Sequence, residues 1–214
     1  MLFRSNIGLT FKPSQRLQIS TGPNYSTSNT AAQYVKSVTD ATNTTTYGGR
    51  YVFGAIDQQQ LSMTTRVSMI VIPKISLQVY MQPLLAAGDY SGFKELARPG
   101  SYDFIPYGGA ASTITRALGG DKLNKYVYTV DPDGPGSAPT FTFDDPDFSV
   151  RSLKLNAVFR WEMKPGSNFY AVWTRQQNDP SNPGVFNAPS DARKMFGAPG
   201  DDVILFKIAY WIGR

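Results

Sequence analysis

The sequence predicts an all-β fold, an antiparallel transmembrane β-barrel of which about nine strands are visible, with long external loops. Three observations predict it. The chain closes on an alternating stretch from Asp201 to Arg214, with Ile204, Phe206, Ile208, Tyr210 and Ile212 on one face and Leu205, Lys207, Ala209, Trp211 and Gly213 on the other. The same period of two recurs through most of the chain, over runs of roughly a dozen residues where a soluble domain uses about five or six. The connections between those runs divide into very short and very long ones.

In order, Phe3, Ser5, Ile7, Leu9 and Phe11 oppose Arg4, Asn6, Gly8 and Thr10, and Lys12-Pro13-Ser14-Gln15 makes a turn. Leu17, Ile19, Thr21 and Tyr25 oppose Gln18, Ser20, Gly22 and Asn24, and two less regular strands follow around Gln33 to Thr39 and Tyr47 to Ile56. Leu61, Met63, Thr65, Val67, Met69 and Val71 then oppose Ser62, Thr64, Arg66 and Ser68. Across Pro73-Lys74, the residues Ile75, Leu77, Val79 and Met81 oppose Ser76, Gln78, Tyr80 and Gln82. Past an irregular segment, Leu153, Leu155, Ala157, Phe159, Trp161 and Met163 oppose Ser152, Lys154, Asn156, Arg160 and Glu162. Lys164-Pro165-Gly166-Ser167 turns the chain, Phe169, Ala171 and Trp173 continue the apolar face, and the closing strand completes the set.

If strand direction alternates, the turns at Gln15, Pro73 and Pro165 share one end, while residues 88–148 and 178–200 form long loops at the other. Short turns on one side and long loops on the other are the asymmetry of a bacterial outer-membrane barrel. The whole of 1–214 then reads as the C-terminal portion of one barrel domain, with 88–148 as its long external loop. An odd strand count, against the even number expected, points to further strands upstream. So does the start of the chain, where Met1-Leu2-Phe3-Arg4 runs into strand-like sequence with no signal peptide.

Composition narrows the chemistry. With no Cys and no His, thiol and imidazole chemistry and Cys/His metal sites are excluded. Charged residues are 17% of the chain, below the average for soluble domains, and Gly, Pro and small polar residues take their place. The +5 net charge is scattered with no basic run, so no nucleic-acid partner is expected. No stretch has the length of a membrane helix.

Ordered words in the sequence add a family resemblance. Tyr51-Val52-Phe53-Gly54, Asp57-Gln58, Leu61 to Val67 and Leu77 to Pro83 come first; Gly88-Asp89-Tyr90-Ser91, Asp145-Pro146-Asp147-Phe148, Arg151-Ser152-Leu153, Arg160-Trp161-Glu162 and Pro165-Gly166-Ser167 follow. Together they resemble the C-terminal outer-membrane barrel domain of unknown function (DUF5916) of bacterial proteins that carry an N-terminal carbohydrate-binding module similar to family 9. The resemblance implies an envelope location and a glycan ligand inherited from a module that this chain lacks. It supplies no catalytic residues.

On the polar face, Arg66, Lys154, Arg160, Glu162 and Lys207 are lumen-facing candidates, either as a charged constriction or, preferred, as groups that pair and brace the lumen, for example Arg160 or Arg66 with Glu162. Leu153, Phe159, Trp161, Ile204, Phe206 and Tyr210 are lipid-facing candidates. Asp131-Pro132-Asp133-Gly134 and Asp144 to Asp147 carry clustered carboxylates, but a calcium loop's spacing is absent and turn formation is the simpler reading. The only two Glu, Glu95 and Glu162, fall at opposite ends, which argues against a facing glycosidase pair, and no enzyme activity, cofactor or metal is expected. Tyr90, Phe93, Tyr102, Phe104, Tyr107, Tyr126 and Tyr128 are either a stacking surface for sugars or the core of their own loop. The expected function is surface binding or uptake of carbohydrate or other polymer-derived solutes in the bacterial outer membrane. Its partners would be outer-membrane lipid, the barrel-assembly machinery and a glycan. A soluble secreted β-sandwich that binds glycans is the alternative.

Overall fold

Long strands paired with their sequence neighbours dominate the chain, as the period-two pattern demands. The computed structural model describes residues 1–119, 126–181 and 184–212; Gly213, at the end of the closing alternation, lies outside them. The main sheet is built from β1 (Leu2–Asn6), β2 (Leu9–Ser14), β3 (Leu17–Thr39), β4 (Gly49–Ile72), β5 (Ile75–Leu96) and the short β6 (Phe104–Pro106). β7 (Thr113–Leu118), β8 (Tyr126–Asp131) and β9 (Phe141–Asp144) form a separate small sheet. β10 (Phe148–Lys164), β11 (Ser167–Ser181) and β12 (Gly200–Ala209) complete the main one, in the order β1-β3-β4-β5-β10-β11-β12, with β2 also on β3 and β6 on β5. Every pairing is antiparallel. The all-β antiparallel class is as expected. Among the described residues the sheet is open: β1 and β2 line one edge, β12 the other, and no closed barrel forms.

The expected strand count is corrected in its composition. Nine strands do pair in the main sheet, but they make seven crossings, because β1 and β2 are one broken crossing and β6 is a short addition. Leu17–Tyr25 and Gln33–Thr39 are one strand, and so are the stretches expected at Tyr47–Ile56 and Leu61–Val71, except that Tyr47 and Gly48 lie in the turn before Gly49. The sequence hides the continuity because register shifts between Thr30 and Gln33 break the alternation of β3, and Gln58-Gln59-Gln60 carries no apolar face in β4. At about 3.3 Å per residue, 24-residue β4 is roughly 80 Å long.

The turns at 15–16, 73–74 and 165–166 lie at one end of the sheet. Gly166 takes φ +79°, the left-handed conformation that the third position of a Pro-Gly turn requires. The connections 40–48, 97–147 and 182–199 all leave the other end. Register defines the faces. Val67, Val79, Ala157 and Trp173 align across β4, β5, β10 and β11, with Ile204 beside Trp173 on β12; one residue along, Arg66, Tyr80, Asn156 and Thr174 align on the opposite face. Toward the short turns the first face continues as Met69, Leu77, Phe159, Ala171 and Phe206, an apolar belt.

At the long-loop end each face is covered. Val52 and Phe93 on the polar face pack against Tyr107, Val130, Phe141 and Phe143, so β7, β8 and β9 lie over that face as a lid. Helix α1 (Ala188–Gly197) lies on the apolar face, where Met195 packs against Leu85 and Leu153. Its start is set by Asn187, whose side chain accepts from Ser190 N–H, followed by Pro189 in the first turn. Thus the two segments expected as irregular loops contain a sheet and a helix. No helix among the described residues is long and apolar enough to cross a membrane, a statement that does not bear on strands.

Candidate functional site

The lid meets the wall through aromatic rings. β5 carries Gly92 at φ +56°, and the register with β4 shifts there, turning Phe93 and Tyr90 toward the lid. Phe93 lies 4.7 Å from Tyr128 and 5.1 Å from Phe143, centroid to centroid, and Tyr128 stacks on Phe143 at 5.2 Å. Tyr107 meets Phe141 at 6.1 Å. Each such pair adds about 0.5–1.5 kcal/mol beyond area burial. Of the loop aromatics, these form the core of the lid, Tyr102 is exposed, and Phe104 packs on Phe53 at 5.2 Å on the other face.

Between lid and wall a cleft of about 430 Å³ remains, lined by Tyr90, Phe93, Tyr107, Ile114, Arg116 and Tyr128 among others. Arg116 lies 4.4 Å over the Tyr126 ring. Burial raises the Tyr128 hydroxyl above its ordinary value, with Arg116 opposing it through a hydrogen bond. The lining therefore offers flat apolar rings, phenol hydroxyls and one guanidinium, groups that together suit a polyhydroxylated ring more than a fully apolar ligand.

Beside the cleft, toward the long-loop end of β4 and β5, sits a buried ion cluster. Arg50 grips Glu95 with Nη1 at 2.8 and 2.7 Å from the two carboxylate oxygens, and its Nε donates to Asp40 at 2.5 Å. The Tyr107 hydroxyl donates to Glu95 at 3.0 Å, and Thr42 donates to Asp40 through both hydroxyl and backbone N–H. All three charged side chains are below one-tenth exposed. Burial, then the Glu95 carboxylate, pushes the Tyr107 phenol far above its ordinary range. Nearby, Asp147 accepts from Tyr90 N–H at 2.6 Å, and burial raises its carboxyl to about 6. Sequence reading missed Arg50. The signal was a charge on the same face as Val52, Gly54 and Ile56, a position that demands a buried partner.

The residues expected at the site fall as follows. Arg66, Lys154, Arg160, Glu162 and Lys207 share the polar face, and the row Arg160, Tyr170, Lys207 aligns across three strands. Arg160 reaches Glu162 at 3.9 Å and Asn168 at 3.0 Å. Arg66 instead lies 5.3 Å over Tyr80, lining a shallow cavity of about 320 Å³ with Gln78 and Asn156. On the apolar face, Phe159, Trp161, Ile204 and Phe206 are aligned and at least partly exposed. Leu153 differs: it is on that face but only 4% exposed, because Met195 of α1 covers it. Tyr210 lies past the end of β12, its ring beneath Lys164 at 3.9 Å. Glu95 belongs to the ion cluster, at the opposite end of the sheet from Glu162. Asp131 and Asp133 accept the backbone N–H groups of Gly134 and Ala138 in a turn.

A profile of the family described as Domain of unknown function (DUF5916) matches residues 2–213. No curated protein and no solved structure matches the chain.

Proposed function

We propose that this chain, which belongs to the DUF5916 family, forms part of the wall of an outer-membrane β-barrel that binds or takes up carbohydrate or other polymer-derived solutes. The observation that carries the reading is the two-faced sheet: an apolar belt beside the short turns on one side, and a polar face with Arg66, Arg160 and Lys207 on the other. A membrane strand needs only about 9–11 residues to cross, so strands of 22 to 24 residues would project well beyond the bilayer. The lid would then stand over the mouth of the lumen, with the tyrosine-lined cleft facing incoming solute. The two free edges would close on further strands. No catalytic group is assigned; the Arg50 cluster braces the lid.

The reading is tested by fractionating cells and running the full-length gene product on a gel with and without boiling. A heat-shifted band in the outer membrane is the expected result. A soluble product with no shift would overturn it in favour of a secreted glycan-binding sandwich.

A further inference from the structure

Helix α1 does more than cover Leu153. Between it and the sheet runs a slot of about 230 Å³ lined by Pro23, Leu61, Met63, Pro83, Met195 and Phe196, together with Leu85 and Ala192. Apart from Ser62 its lining is apolar, unlike the mixed linings of the cleft and of the Arg66 cavity. The slot joins the apolar belt directly: Met63, Thr65 and Val67 follow one another on the same face of β4. At the helix surface Phe196 is 57% exposed, and the neighbouring Arg193 and Lys194 are exposed, the densest basic pair in the sequence. The buried side of the helix is held by a charge lock, with Arg151 donating to Asp191 and to Asp179 at 2.8 Å each.

A helix with an aromatic residue and a basic pair exposed, lying at the upper margin of an apolar belt, has the composition of one seated at a membrane interface. We infer that the slot beneath α1 is a lipid site: it takes one acyl chain of an anionic outer-leaflet lipid, whose phosphate meets Arg193 and Lys194. The inference rests on the barrel reading and deepens it by naming a partner of the apolar face. Continuity with the belt identifies the acyl chain, because a chain in the slot remains continuous with the hydrocarbon. The basic pair selects the headgroup, since exposed Lys and Arg at an anionic membrane surface each favour the negatively charged lipid.

The test uses the full-length protein purified from membranes in a mild detergent. Native mass spectrometry reads lipid retained by wild type, Ala192→Trp, which fills the slot, and Arg193→Glu/Lys194→Glu, which alters only exposed groups. The probes are lipid A and phosphatidylcholine, and a photoactivatable acyl lipid is mapped by cross-linked peptides. Wild type is expected to prefer lipid A by about tenfold, the charge reversal to abolish that preference, Ala192→Trp to lose retained lipid, and cross-links to fall on the peptides holding Met63 and Met195. All three proteins should keep the heat shift. A heat-shifting wild type with no lipid preference and cross-links elsewhere would overturn the lipid site alone. A dimer that buries the slot without lipid would replace it with self-association. Loss of the heat shift in wild type would overturn the barrel reading and the lipid site together.

Discussion

Replacing Arg50 by Ala should unlatch the lid without dissolving the sheet. The substitution removes three charge-assisted hydrogen bonds and strands two carboxylates, those of Asp40 and Glu95, whose side chains are 1% and 7% exposed. Breaking a buried pair in this way costs about 3–5 kcal/mol, mostly because the remaining charge has no partner. Thr42 continues to donate to Asp40 and Tyr107 to Glu95, which places the loss toward the lower figure. Since about 1.4 kcal/mol is tenfold, an opening equilibrium should shift by roughly a hundredfold or more. The assay is hydrogen exchange. The amides of Tyr126–Asp131 and Phe141–Asp144 should exchange faster by about that factor, while those of Leu77–Met81, far down β5, should not. Glu95→Gln, which keeps a partner for Tyr107 and leaves Arg50 with Asp40, should cost less. Unchanged lid protection in Arg50→Ala would refute the idea that the ion cluster holds the lid.

Four further outcomes follow from the geometry. Gly88→Val should destabilise by about 1–3 kcal/mol, the cost of overpacking, because a Cβ there would lie 2.4 Å from the Phe148 ring; thermal denaturation reads it. Asp147 binds a proton more tightly when folded than when unfolded, so stability should fall as pH rises from its ordinary 3.8 to about 6, and Asp147→Asn should flatten that slope in melts across the window. Met195→Ala should loosen α1 by about 2–5 kcal/mol, seen as faster tryptic cleavage at Arg193 and Lys194 with lid exchange unchanged. Phe159→Arg puts a charge in the apolar belt, a cost of about 2–4 kcal/mol at mid-bilayer, and should lower the level of assembled protein in the membrane fraction; wild-type levels would count against a lipid-facing belt.

How much of this was legible depended on whether the signal was local. Period two identified both faces, since Leu77, Val79 and Met81 cannot share a side with Gln78 and Tyr80 in any extended strand. The short turns announced themselves through Pro73-Lys74 and Pro165-Gly166. Helix α1 did not, because Pro189, Gly197 and Pro199 frame it as a loop, although Ala188, Ala192 and Met195 have helical spacing and Asn187 is a fitting cap. The lid core and the Arg50 cluster were hidden for another reason. Arg50 and Glu95 are 45 residues apart, and Lys36 reaches the Thr142 carbonyl across 106. Such meetings are set by where strands end, and the ends of β4 and β5 were the boundaries that register shifts obscured.

The two coverings are staggered along the wall, the lid seated on Val52 and Phe93 and α1 on Leu85 and Leu153. On β5, Leu85 lies under Met195 on one face and Gly88 under the Phe148 ring on the other, three residues apart; on β10, Phe148 and Leu153 repeat the arrangement. This stretch of wall therefore carries a packed side chain on each face, α1 on one and the Phe148 ring of β10 itself on the other. Close-packed layers pass strain on instead of absorbing it. The last strand of the lid runs into β10 at Phe148, five residues before Leu153, so a shift of the lid is carried along one strand to the seat of α1 on the opposite face.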